Sequence, residues 1–286
     1  MLGAIVGDIV GSRFEFDNHR SKDFELFTPA CEVTDDSIMT LAVAKAIMRT
    51  DKQMGAREQG ERLSQGYCDE LGILTVKHMQ EIGRKYPGCG YGNRFFEWVF
   101  SKEPKPYQSY GNGAAMRISP AGFVAKTEAQ VFQLAETITS VTHNHEEGLK
   151  GGSAVALAVF LARHGSPMNE IKSRMAEYYD LDFKIDDIRS SYKFDETCQG
   201  TVPQALNAFF ESDSFEDAIR NAISLGGDSD TIAAITGSIA DAFYGVPDPI
   251  RDSALFYLDN ELWGIYTDWN IYFSRRYQDS PAIMSE

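Results

Sequence analysis

Helical periodicity dominates this chain. Residues 37–49, SIMTLAVAKAIMR, are rich in Ala, Leu and Met, which favour helix. Residues 127–142, TEAQVFQLAETITSVT, start with a capping threonine, Thr127, followed by an acid. GGSAVALAVFLARHG (151–165) is apolar nearly all round and ends at Gly165, which predicts a buried helix closed by a glycine C-cap. TVPQALNAFFES (201–212) places Pro203 in a first turn. SFEDAIRNAISLGG (214–227) opens on an acidic turn and stops at a glycine pair, and SDTIAAITGSIADAFYG (229–245) follows directly. DSALFYLDNELWGIY (252–266) is predicted to be the last long helix. Alternating strand runs are nearly absent, and the one candidate, 23–33, reads better as loop.

The expected fold is therefore all-α, in a single domain spanning 1–286. No internal repeat or low-complexity linker interrupts it. The turn-rich stretch 101–113, SKEPKPYQSYGNG, suits either a boundary or a long functional loop.

Composition narrows the function classes. A hydrophobic content of 43% supports a substantial core. The 42 acids against 27 bases give a net charge of −15, which argues against non-specific binding to nucleic acid or anionic membrane. It leaves a negatively charged small substrate open, because a local site with bound cations inverts the global sign. Cys31, Cys68, Cys89 and Cys198 form no C-x-x-C pair and read as free thiols in a reducing, cytoplasmic compartment. The opening MLGAIVGDIVGSRFE has no basic n-region and Asp8 interrupts its apolar run, so neither a signal peptide nor a membrane span is expected.

The candidate chemistry lies at two helix starts. TDDS (34–37) precedes one apolar helix; GGDSDT (226–231) precedes another with the same grammar of two carboxylates and a threonine. Each alone reads as an N-cap with acids at the positive helix end. A cap needs only one side-chain oxygen, however, and each segment offers at least three. Carboxylates clustered near a core repel one another unless a hard cation joins them. Four carboxylates and two threonine hydroxyls suit one Mg²⁺ or Mn²⁺ ion, or two sharing the middle ligands.

Other segments carry weaker signals. GDIVGSRFEF (7–16) spaces Gly7 and Gly11 four apart, which permits close helix packing, and places Glu15 beyond them as a candidate acid or base. YGNGAAMRISPAG (110–122) lacks a P-loop ending, yet backbone N–H groups from Tyr110 to Ala114 suit a diphosphate; Arg117 balances charge there or pairs with an acid. His143 and His145 in THNHEEG do not share a helix face, so zinc is poorly supported and a pocket-lining histidine is the better reading. The aromatic clusters at 91–100 and 262–273 read as core and helix contacts.

Together, GDIVGSRFE (7–15), TDDS (34–37), GNGAAMR (111–117) with Thr142–His143, GGDSDT (226–231) and CQGTVPQALNAFF (198–210) resemble the ADP-ribosylglycohydrolases, across residues 1–245. The resemblance implies a compact, orthogonal all-α domain around a centre of two divalent cations, Mg²⁺ or Mn²⁺. It implies Thr34, Asp35, Asp36, Asp228, Asp230 and Thr231 as metal ligands, with Glu15, Asp36 and Asp230 serving catalysis. It places Tyr110, Gly111, Asn112 and Gly113 near the diphosphate and His143 near the ADP-ribose. The implied substrate is an ADP-ribosylated protein or a small ADP-ribose conjugate, handled by a monomer without nucleic acid or membrane. Ser229 departs from the threonine common in the last motif, and 246–286 carry no family signature. The rival classes are a Mg- or Mn-dependent phosphoester or nucleotide hydrolase and a non-catalytic α-helical binding module.

Overall fold

A computed structural model describes residues 1–55 and 60–277. Among them the chain is helical without strands; one isolated antiparallel bridge joins Gly111 to Thr197. The helices are α1 (Leu2–Ser12), α2 (Asp35–Met54), α3 (Gln65–Gly83), α4 (Asn93–Phe100), α5 (Gly113–Met116), α6 (Ser119–Val124), α7 (Glu128–Ser140) and α8 (Glu146–Arg163). They continue as α9 (Met168–Met175), α10 (Ile185–Ile188), α11 (Cys198–Phe210), α12 (Phe215–Ser224), α13 (Ser229–Tyr244), α14 (Asp248–Leu255) and α15 (Asn260–Tyr277). Buried apolar side chains from Met1 to Trp269 form one contiguous cluster. The last nine residues of the expected domain lie outside the described residues. No helix among those described is long and apolar enough to cross a membrane.

The helix that positions the site is α1. Gly3, Gly7 and Gly11 recur every four residues and so share one face. A Cβ on Gly3 would stand 2.0 Å from the carbonyl oxygen of Gly237, one on Gly7 2.0 Å from that of Ala233, and one on Gly11 2.5 Å from the Cα of Asp230. Helices α1 and α13 therefore touch backbone to backbone, and only glycine permits it. The close-packing reading of the glycine pair is correct, and its consequence is functional: the start of α13 is pressed against the helix that carries Asp8 and leads to Glu15.

Helix α8 is buried along most of its length, as its apolar surface predicts, and ends where Gly165 adopts φ +78°. Thr127 caps α7 by accepting from the Gln130 N–H. Three expectations need correction. Helix α2 starts at Asp35 rather than Ser37, so both carboxylates lie in its first turn. Helix α11 starts at Cys198, capped by Thr197, so Pro203 is internal and interrupts the backbone ladder instead of opening it. The single helix expected over 252–266 is two: Asp259 accepts from the N–H groups of Glu261 and Leu262 and so starts α15 afresh after α14 has ended. Helices α3 and α4 were not among the expected elements.

Candidate active site

The two acidic helix starts meet, and neither is self-capped. Thr34 and Asp228 stand at the N-cap positions of α2 and α13, yet neither side chain caps its own helix. The two segments bond across to each other instead, while Thr34 also bonds to Asp8 and Asp228 to Asn112. The Thr231 hydroxyl donates to Asp36 Oδ2 at 3.2 Å, and the Thr34 hydroxyl approaches Asp230 Oδ2 at 3.5 Å. Carboxylate oxygens of Asp8, Asp36 and Asp230 lie within 4.8 Å of one another, as do those of Glu15, Asp228 and Asp230.

Asp8 takes over the start of α2. Fully buried, it accepts from the N–H groups of Thr34 and Ser37, each at 3.1 Å, and from the Thr34 hydroxyl. Sequence reasoning used Asp8 only to reject a signal peptide. Its signal was visible: a lone charge within an otherwise apolar helix demands a polar partner in the core.

Electrostatically this is a site in want of positive charge. Burial and then repulsion from Asp8, Asp35 and Asp228 hold Asp36 well above the ordinary carboxylate range. Burial and then Asp228, Asp36 and Glu15 do the same to Asp230. Burial raises Asp8 to about 6 against the hydrogen bonds that Ser37 and Thr34 donate. Half-buried Asp35 is pushed up to about 8, by loss of solvent first and then by Asp8 and Asp228. Asp228 is also raised by burial, tempered by hydrogen bonds. Asp36 Oδ1 is buried with no hydrogen-bond partner. An all-oxygen donor set with an orphaned carboxylate oxygen at its centre fits a hard divalent cation.

Around this cluster opens a cleft of about 550 Å³, a size suited to a nucleotide-sized ligand. Asp35, Asp36, Asp228, Asp230 and Thr231 line its floor. Glu15 stands at its edge, half-buried, its carboxyl raised to about 7 by burial, then by Asp228, Asp8 and Glu196.

The glycine-rich loop borders the cleft through Gly111, Asn112 and Gly113. Asn112 donates from Nδ2 to Asp228 Oδ2 at 2.6 Å and to the Thr201 hydroxyl at 3.1 Å, so its side chain braces the acidic cluster. Three of the five N–H groups expected to cradle a diphosphate already have partners: Gly111 with Ser109 Oγ, Asn112 with the Glu196 carbonyl, and Ala114 with the Gly111 carbonyl. The Tyr110 side chain is exposed, edge-on to His145 at 5.2 Å, and is not among the lining residues.

His143 is where the loop meets a defined donor. Arg117 Nη2 donates to His143 Nδ1 at 3.0 Å and to Thr142 Oγ1 at 2.8 Å, and the Thr142 hydroxyl lies 2.7 Å from the same Nδ1. With Nδ1 accepting, the proton sits on Nε2. Burial and the nearby Arg117 hold His143 well below the usual histidine range, so the ring is neutral. A Cβ on Gly113 would come within 3.3 Å of Nε2 and one on Gly111 within 3.5 Å, so both glycines keep the space before this N–H open. Arg117, fully buried 5.0 Å from the Phe95 ring centre, braces the histidine rather than pairing with a core-edge acid. Arg94, which sequence reasoning did not single out, lines the cleft and stacks on Tyr107 at 4.8 Å.

Comparison with known proteins agrees with this picture. A family model described as ADP-ribosylglycohydrolase matches residues 1–265. An ADP-ribosylarginine hydrolase Tri1 of Serratia proteamaculans is 27% identical over 88% of this chain and 73% of its own. The ADP-ribosyl-[dinitrogen reductase] glycohydrolase of Rhodospirillum rubrum is 26% identical over 86% of this chain and 85% of its own. The ADP-ribosylhydrolase ARH3 of Xenopus tropicalis is 24% identical over 92% of each chain. A solved structure titled ADP-ribosylglycohydrolase-related protein complex superposes with a TM-score of 0.63 at 21% identity, covering 94% of this chain and 95% of that one, and so shares the fold.

Proposed function

The chain belongs to the ADP-ribosylglycohydrolase family, and from that premise we propose how its cleft hydrolyses the glycosidic bond between ADP-ribose and an acceptor such as an amino-acid side chain or an acetyl group. The enzyme releases free ADP-ribose. Two divalent cations, Mg²⁺ or Mn²⁺, are held by Thr34, Asp35, Asp36, Asp228, Asp230 and Thr231, with Asp8 fixing the first three through the start of α2. The observation that carries this reading is the meeting of two acidic helix starts, neither capped by its own N-cap side chain, around the orphaned Asp36 Oδ1.

The chemistry such cations supply when bound is Lewis acidity toward sugar hydroxyls and water. The chain's own residues do the rest. Arg117 and Arg94 attract the diphosphate, and His143 Nε2–H donates to one of its oxygens. That seats the ribose over the acidic floor. The bond from C1″ to the acceptor breaks through an oxocarbenium-like state, and a water oxygen bonds to C1″. Glu15, raised to about 7, exchanges a proton near neutral pH: it takes the proton that water loses and returns it to the departing acceptor, so that one proton passes from water to the leaving group.

We further propose that residues 1–286 act as one domain and as a monomer. The four free thiols support a cytoplasmic location, and the acidic balance supports ADP-ribosylated proteins or small conjugates as partners rather than nucleic acid or membrane.

The test is to incubate the protein with Mg²⁺ or Mn²⁺ and a panel of ADP-ribosyl conjugates, then identify both products. Free ADP-ribose with the unmodified acceptor is expected. Release of phosphate or a nucleotide would indicate a phosphoester hydrolase instead, and absence of both turnover and metal uptake would indicate a binding module.

A further inference from the structure

Glu15 stands on the loop that follows α1, while Asp228 and Asp230 belong to the start of α13. Carboxylate oxygens of all three nonetheless lie within 4.8 Å of one another, so the loop is fixed against the helix start. The loop is stiff in itself. The Phe14 ring packs against Phe24 and His19 at 5.3 and 5.1 Å between centres, and the Arg13 guanidinium lies 4.3 Å from its centre.

Asn18 fastens this loop to α13. Its Nδ2 donates to the carbonyls of Phe14 and Glu15, each at 3.0 Å, and to that of Gly227 at 3.1 Å. Its Oδ1 accepts from the Gly227 N–H at 2.8 Å. One side-chain amide thus meets both polar groups of Gly227, the residue before Asp228, while it holds the carbonyl of Glu15 itself. Chemistry fixes its orientation: turned over, the amide would set its oxygen against three carbonyl oxygens and its N–H₂ against an N–H. The turn leaves room for it, since a Cβ on Gly226, at φ +68°, would stand 3.0 Å from Asn18 Oδ1. Ser229 adds a second tie, its buried hydroxyl 3.2 Å from the Phe14 carbonyl and 3.3 Å from that of Gly227. Among the described residues, the hydrogen bonds from 13–19 to 226–231 come from these two side chains and Gly227.

We propose that Asn18 is a positioning residue, which sets the Glu15 carboxyl at its working distance from the acidic floor and acts through Glu15 rather than on cations or substrate. This rests on the hydrolase reading above and adds to it the residue that places its proton-transfer group. A carboxyl carried on a loop serves a reacting water only over a narrow range of positions. Asn18 is itself exposed, so removing its amide frees the loop without opening a cavity in the core.

The experiment measures kcat and KM on the conjugate of the panel above that the metal-loaded wild type turns over fastest, alongside Mn²⁺ titration and circular dichroism. Asn18→Ala is expected to lower kcat about tenfold, with KM and Mn²⁺ affinity within about twofold of the wild type. Asn18→Asp keeps the shape and the acceptor but loses the donor, and lowers kcat at least as far. In a Glu15→Gln background, read in single turnovers with enzyme in excess, Asn18→Ala costs less than about twofold, because no carboxyl is left to misplace. Wild-type kcat in either Asn18 variant overturns the proposal. So does a full tenfold loss on top of Glu15→Gln, or a matching loss of Mn²⁺ affinity, which would make Asn18 a support of Asp228. A wild type that turns over no conjugate of the panel overturns the hydrolase reading itself; the other contrary outcomes, with an active wild type, overturn the positioning role alone.

Discussion

At the start of α2, the backbone N–H groups of Thr34 and Ser37 are taken by a carboxylate from another helix, Asp8. At the start of α13 the support comes from a loop: Asn112 holds Asp228 at 2.6 Å, while Gly226 and Gly227, at φ +68° and +76°, turn the chain into the helix. Gly227 has a second constraint, since a Cβ there would lie 2.5 Å from the Tyr192 ring. The two segments share a sequence grammar but are held by different neighbours. In each, delegating support to a distant residue frees local oxygens to converge on one point. A helix start that looks like an ordinary cap is distinguished from a binding site by who supplies the cap.

Gly7 serves both starts, because it lets α1 lie directly on α13. We expect Gly7→Ala to produce the largest effect, more than about 4 kcal/mol of destabilisation, or a thermal midpoint about 10 °C lower by calorimetry. The control is Gly264→Ala, where the new methyl meets nothing within 4 Å. Equal midpoints for the two variants would show that α1 and α13 are not in backbone contact.

Next come the ligands. Asp36→Asn keeps the shape of the side chain but removes the charge beside Oδ1, and turnover should fall at least about 1000-fold under metal-replete conditions with the fold intact by circular dichroism. Turnover near the wild-type level would remove Asp36 from the chemistry.

The two supports are then separable. Asp8→Asn replaces one acceptor oxygen with an N–H₂ facing donors at the start of α2, and we expect metal affinity to fall about 100-fold. Asn112→Ala leaves Asp228 in place and removes one hydrogen bond from it, for about a tenfold loss. Calorimetric titration with Mn²⁺ ranks them; the reverse order would mean that α13, rather than α2, depends more on its external support.

The smallest effect is the pH dependence of the chelated protein. Asp8, Glu15 and Asp35 are raised in the folded state to about 6, 7 and 8, above the values near 4 of an unfolded chain. The folded state therefore binds more protons. Its stability is full below pH ~4 and is lost as pH rises through about 6 to 8. In chelator the thermal midpoint should fall by about 5 °C between pH 5.5 and 8.5, and saturating Mg²⁺ should abolish most of that slope. A midpoint that rises with pH in chelator would contradict the crowding of carboxylates.

Much of this was legible in the residues. The all-α fold follows from periodicity, and the paired grammar of TDDS and GGDSDT named the floor of the cleft, because carboxylates beside threonines at two apolar helix starts exceed what capping needs. What stayed hidden depended on contacts between distant segments. Asp8 looked like an interruption until Thr34 and Ser37 were seen to donate to it. Asn112, expected to face the diphosphate, is drawn instead to Asp228, 116 residues away. Pro203 misled because proline is favoured in a first turn and only the Thr197 cap shows that α11 begins earlier. Phe16 and Phe194 carry no local pattern at all; they become a pair only when the fold sets their rings side by side.

The most direct measurement is a titration of the folded, chelator-stripped protein with Mn²⁺, followed by electron paramagnetic resonance and repeated with Asp36→Asn and Asp230→Asn. We expect the wild type to take up two ions per chain, and each single substitution, though the two lie on different helices, to impair uptake at both. A wild type that stays folded and takes up no ion, or two variants that lose binding independently of each other, would contradict a single cation site built from the starts of α2 and α13.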